Sequence, residues 1–132
     1  MTLTKETISK GFLIAGFSNI LGAGISSRFF TNEAIPAFDP VVMSNFGLLM
    51  IMVWGLAYIS VAKSYDKVKW LVAVFAVEKL IYGIAWLMWL SKNNLSDVFA
   101  VDTMAGVFYS VYGVNDWMFF VFFGFVFFRL GK

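Results

Sequence analysis

The chain has no cysteine, no histidine and only two prolines among 132 residues. Without thiols or imidazoles it forms no disulfide and offers no thiolate nucleophile, no histidine proton relay and none of the usual ligands for haem or zinc. Charge is scarce as well: Asp, Glu, Lys and Arg make up 14% of the residues, against roughly 25% in ordinary soluble domains. No Gly-rich phosphate loop, nucleophile elbow or metal-ligand cluster occurs. No cofactor, metal or nucleic-acid partner is therefore expected, and no residue is assigned a catalytic role.

What fills the chain is hydrocarbon. Hydrophobic residues account for 61% and the mean hydropathy is +0.82. Four apolar runs, about residues 11–28, 41–62, 68–90 and 98–128, approach or exceed the roughly 17 to 25 residues a helix needs to cross a bilayer core of about 30 Å. None alternates with a period of two, which excludes a β-barrel. The expected fold is an all-α integral membrane protein, a single four-transmembrane-helix bundle whose main partner is the lipid bilayer.

Lys5, Lys10, Lys63, Lys67, Lys69, Arg129 and Lys132 fall on one side of such a bundle, and only Arg28 and Lys92 on the other. The positive-inside rule then puts both termini in the cytoplasm, and the short loops suit a bacterial inner membrane. The stretch from Lys5 to Gly24 has the outline of a signal peptide, but is expected to stay as the first helix. That helix carries two rows of small residues at four-residue spacing, Ala15, Asn19, Ala23, Ser27 and Ser18, Gly22, Ser26, and so is expected to pack tightly at the centre of the bundle. Asp39-Pro40 reads as a helix N-cap with proline at the first helical position. The last helix, crowded with phenylalanine from Phe119 to Phe128, faces lipid or another copy of the chain.

The costliest feature is Glu78 beside Lys79 in the middle of the third run, because a charge at the centre of a membrane helix costs on the order of 2.5 to 3.5 kcal/mol. At about 1.5 Å rise per residue, Asp116 on the last helix and Asn19 on the first reach the same depth, with Asn115 alongside. Neighbouring residues diverge by about 100° around a helix, so Glu78 cannot satisfy Lys79. Lys79 is too short to snorkel out, which makes a Lys79–Asp116 pair the expected neutralisation. Glu78 is left to bond Asn19 or a tyrosine, to be protonated, or to meet a ligand.

Aromatic residues surround this layer: Trp54 and Tyr58, Tyr82 with Trp86 or Trp89, and Tyr109 with Tyr112. They make an aromatic pocket with acids at its base, or, for Tyr58, Trp70, Trp89 and Tyr109, an interfacial belt. The expected ligand site is Asn19, Trp54, Tyr58, Glu78, Lys79, Tyr82, Tyr112, Asn115 and Asp116. It would bind a small lipophilic or cationic molecule or conduct protons or ions. Two other readings are open: an accessory subunit docking a larger membrane partner or forming a homo-oligomer, and an intramembrane isomerase using the two acids.

In length and four-span layout the chain resembles small bacterial DoxX-like proteins, through the Gly47–Ala62 helix after Asp39-Pro40. It also resembles the sterol-isomerase-like EXPERA proteins, through acids set among aromatics. Neither resemblance extends to a residue motif, and the histidine that sterol isomerases use is missing, so neither implies a function.

Overall fold

A computed structural model describes residues 4–131; Lys132, counted above among the basic residues, lies outside them. The described chain is all helix and turn: α1 (Lys5–Ser26), α2 (Ala34–Phe38), α3 (Asn45–Val61), a single 3₁₀ turn (Tyr65–Lys67), α4 (Lys69–Lys92), α5 (Leu95–Val101) and α6 (Thr103–Leu130). Among these, α1, α4 and α6 are long and apolar enough to cross a membrane, and α3 is a shorter apolar helix. Their outward faces carry Phe17, Leu21, Ile81, Leu87, Met118 and Val121, all about half exposed or more. Such a surface suits hydrocarbon rather than water, and the chain is a membrane protein.

Short polar side chains set the helix starts, by accepting from backbone N–H groups that have no partner inside the helix. Thr4 accepts from Thr7 N at 3.1 Å, Ser44 from Gly47 N at 3.0 Å, Asn94 from Ser96 N at 3.0 Å and Asp102 from Ala105 N at 2.9 Å. Two sequence expectations change here. Asp39 caps a turn instead of a helix: its carboxylate accepts from Val42 N at 3.1 Å, and Ser44 takes over as the N-cap of α3. The run at 98–128 is two helices, because the extended backbone at Asp102 ends α5 and starts α6.

The long helices pair as α1 with α3 and α4 with α6, and α1 joins the two pairs through α6. The α1–α3 crossing is backbone on backbone: a Cβ at Gly16 or Gly55 would stand 2.6 Å from the other's carbonyl oxygen. The α4–α6 crossing is a reciprocal lock, with Trp117 seated on Gly83 and Trp86 on Gly113. Each indole N–H is satisfied across the interface, Trp117 by Gly83 O at 3.2 Å and Trp86 by Tyr109 O at 2.7 Å.

The half of the bundle nearest the termini is a solid aromatic core. Phe12, Tyr58, Phe75 and Phe123 meet there at centroid distances of 4.8 to 6.5 Å. At the opposite, capped end, the short helices α2 and α5 touch and fold over the bundle. Tyr109 donates to Ile35 O at 2.6 Å and Trp89, stacked on Tyr109 at 4.3 Å, donates to Phe38 O at 3.0 Å. Tyr58, Trp89 and Tyr109 are thus buried rather than arranged as a belt, while Trp70 is 72% exposed.

Candidate functional site

At mid-height, three helices converge on one ammonium group. Lys79 Nζ on α4 donates to Asp116 Oδ1 on α6 at 2.8 Å and to Asn19 Oδ1 on α1 at 2.9 Å. It also stands 5.3 Å from the centre of the Tyr58 ring on α3. Asn19 is held in turn by its amide, which donates to Ile51 O at 3.0 Å. The expected pairing of Lys79 with Asp116 is present, and both side chains are buried. Charges cut off from water need this degree of saturation, since an unpaired one costs several kcal/mol.

Glu78, one residue earlier on α4, takes the Tyr58 hydroxyl as its donor. It is the tyrosine alternative, supplied by α3, that the structure realises. Among the described residues Glu78 has this one hydrogen-bond partner, although it is 7% exposed. The cluster therefore holds two carboxyl groups against one ammonium.

Directly beside it is a cavity of about 330 Å³. Glu78, Lys79 and Asp116 form its polar wall, and Tyr82, Tyr112 and Asn115 line it further. The Tyr112 hydroxyl is buried in this wall and has no hydrogen-bond partner among the described residues. A buried polar group left without a partner costs about 1 to 3 kcal/mol, so its retention needs a reason. The cavity opens sideways between α1 and α6, past Ser18, Gly22 and Ser26 on one helix and Val111 on the other.

Seven of the nine residues expected at the site, Asn19, Glu78, Lys79, Tyr82, Tyr112, Asn115 and Asp116, border this cavity. Tyr58 does not; it lies behind the wall and positions Glu78. Trp54 does not either, because it borders a separate shallow apolar groove of about 260 Å³ between α3 and α4. The mouth was missed. Of the two small-residue rows, only Ala15, Asn19, Ala23 and Ser27 are buried in the bundle, while the Ser18, Gly22 and Ser26 row forms the rim of the opening. A small residue at every fourth position beside the packed row, Ser18, Gly22 and Ser26, was the available signal.

The gap between α1 and α6 is bounded at both ends. Toward the termini, the ring of Phe122 lies over Gly11 and meets Phe12 at 5.5 Å. At the capped end, Arg28 bonds Asp102 at 2.8 Å and Asn32 bonds the other oxygen of Asp102 at 2.8 Å. The Arg28 guanidinium, followed by the Ala105 N–H and Asn32, holds the Asp102 carboxyl well below the usual range, at about 2. Arg28, Phe29 and Phe30 all have left-handed backbones, with φ of 48°, 56° and 69°. Residues with side chains rarely adopt this conformation, and the contacts of Arg28 and Asn32 hold it in place.

Among the described residues, no three acidic side chains gather closely enough to hold a metal ion. No protein-family model, curated protein or solved structure matches the chain.

Proposed function

We propose that this chain is a four-span protein of a bacterial inner membrane, with both termini cytoplasmic, whose mid-height cavity binds a small lipophilic or cationic molecule. In this reading α3 is the fourth span. Its 17 residues cover about 25 Å at 1.5 Å per residue, and the turn before it supplies the remaining depth.

The observation that carries the reading is the convergence of Glu78, Asp116 and the partnerless Tyr112 hydroxyl on one cavity. Pockets that bind small molecules combine mainly apolar walls with a few convergent polar groups, at volumes of roughly 300 to 1,000 Å³. Ligand binding is favoured over ion conduction because the Phe12, Phe75 and Phe123 layer fills the bundle below the cavity. A docking subunit would present at least one of the three charges on its outer surface, and all three are buried.

The test is thermal stability of the purified protein, wild type against Glu78→Gln and Asp116→Asn, with lipophilic cations, quinones and sterols across about pH 5 to 9. A compound that stabilises wild type and neither variant supports the site. If no compound shifts wild type and the variants only lose stability, the charges are structural and the reading is wrong.

A further inference from the structure

We infer that the ligand is a single-chain cationic amphiphile, a protonated amine on an alkyl tail, that enters from the bilayer beside Gly22 and leaves its tail between α1 and α6. This rests on the cavity being a binding site, and adds the ligand's class and route.

The class follows from counting donors and acceptors. All of Lys79's strong contacts are committed, to Asn19, Asp116 and the Tyr58 ring. The Tyr58 proton is given to Glu78, and both ends of the Asn19 amide are used. Lys79 is the cationic residue in the cavity wall, and its hydrogen bonds already go to Asn19 and Asp116. The wall's unmet capacity is of the opposite kind. Glu78 has one partner for a group that accepts at about four positions, and the Tyr112 hydroxyl has none. With Glu78 and Asp116 both ionised, two carboxylates face one ammonium, and a head carrying N–H donors and positive charge completes the balance.

The route follows from the opening. Its α1 rim is made of small residues, and a Cβ added to Gly22 would meet nothing within 4 Å. The surface around it is apolar, with Leu21 53%, Val111 52% and Val114 59% exposed, so the mouth faces hydrocarbon. The gap is closed by Phe122 on Gly11 at one end and by the Arg28–Asp102 pair at the other. Size then places the tail. At about 30 Å³ for each water-sized group, a space of about 330 Å³ holds a head and about ten carbons, the outer ones between the Ser18, Gly22 and Ser26 rim and Val111. The rest of a longer chain has to lie in the gap.

The experiment measures equilibrium binding of dodecylamine to the full chain in nanodiscs of zwitterionic lipid, with empty discs as blank. Butylamine, dodecanol and laurate are the comparison probes. Gly22→Leu adds bulk at the rim of the mouth, where a Cβ meets nothing within 4 Å. Gly124→Leu, also in open space and remote from the cavity, is the control. Dodecylamine is expected to bind saturably to wild type and Gly124→Leu, and at least about tenfold more weakly to Glu78→Gln, which loses a buried charge contact. Gly22→Leu is expected to weaken dodecylamine by a similar factor and butylamine far less.

Equal effects of the two leucine variants would overturn the route. Tighter Asp116-dependent binding of dodecanol or laurate than of the amine would overturn the cationic class, while the cavity stands as a site. If none of these probes, and none of the cations, quinones or sterols above, binds in a way that depends on Glu78 or Asp116, the binding reading falls and this inference falls with it.

Discussion

Replacing Lys79 by methionine keeps most of the side-chain volume and removes the ammonium, leaving Asp116 and the Asn19 carbonyl oxygen without their shared donor. Two magnitudes compete for the outcome. If the contact acts as an ordinary hydrogen bond between membrane helices, its loss costs about 0.6 kcal/mol on average and about 1.7 at most. If it acts as a buried ion pair, breaking it costs about 3 to 5 kcal/mol, because a charge remains with nothing to neutralise it. Lys79 is 1% exposed and Asp116 7%, and the pair distance is 2.8 Å, so the second figure applies. Asp116→Asn alone strands the ammonium and is expected to cost a similar amount. The double variant strands neither charge, since an amide at position 116 has an N–H to offer Asn19 Oδ1. It is therefore expected to be more stable than either single variant, with a coupling of about 2 kcal/mol or more. The assay is equilibrium unfolding in mixed micelles at neutral pH, followed by far-UV circular dichroism, for all four proteins. Single costs below about 1 kcal/mol that add to within about 0.5 kcal/mol would refute the ion-pair account.

Three further outcomes follow from the same geometry. Tyr112→Phe removes a hydroxyl that has no partner, so the ligand-free protein should be as stable as wild type or up to about 1 to 3 kcal/mol more stable, while ligand-induced stabilisation falls; clear destabilisation without ligand would show the hydroxyl has a structural partner. Gly55→Ala puts a methyl 2.6 Å from Gly16 O and 2.9 Å from Asn19 Cβ, and should cost about 1 to 3 kcal/mol by forcing α1 and α3 apart; Gly124→Ala, in open space, should cost nothing, and equal melting temperatures for the two would be the contrary result. Asp102→Asn should destabilise at neutral pH. The depressed Asp102 carboxyl contributes stability above the unfolded value near 4 and loses it as pH falls toward about 2, so the difference between variant and wild type should vanish across that interval; an unchanged difference at the acid end would be inconsistent with the Arg28–Asp102 bond.

The membrane class and the core of the charge cluster were legible because each rested on one dominant cost. Charge in hydrocarbon is so unfavourable that depth and reach alone paired Lys79 with Asp116 across two helices. Features that depend on how the loops fold back were less legible. Trp89 and Tyr109 look like belt residues by their position near a helix end, yet they are buried because α2 and α5 cover them and supply the Ile35 and Phe38 carbonyls. The break at Asp102 was concealed by apolar residues on both sides of it, since α5 and α6 read as one run until an acidic N-cap with three partners is seen in place.

Glu78 presented a different kind of limit. The sequence left its partner open between Asn19, a tyrosine and a ligand, whereas its donor is Tyr58 of α3, a choice set by the rotation of α3 against α4. That rotation follows from the Gly16–Gly55 crossing, where α3 is pressed against α1 so closely that no Cβ fits between them. The same contact brings Asn19 within reach of Ile51 O and Lys79. One backbone crossing thus orients both polar arms of the site, Tyr58 toward Glu78 and Asn19 toward Lys79. A substitution at Gly55 should therefore disturb the cavity wall as well as the α1–α3 packing, although Gly55 borders no part of the cavity.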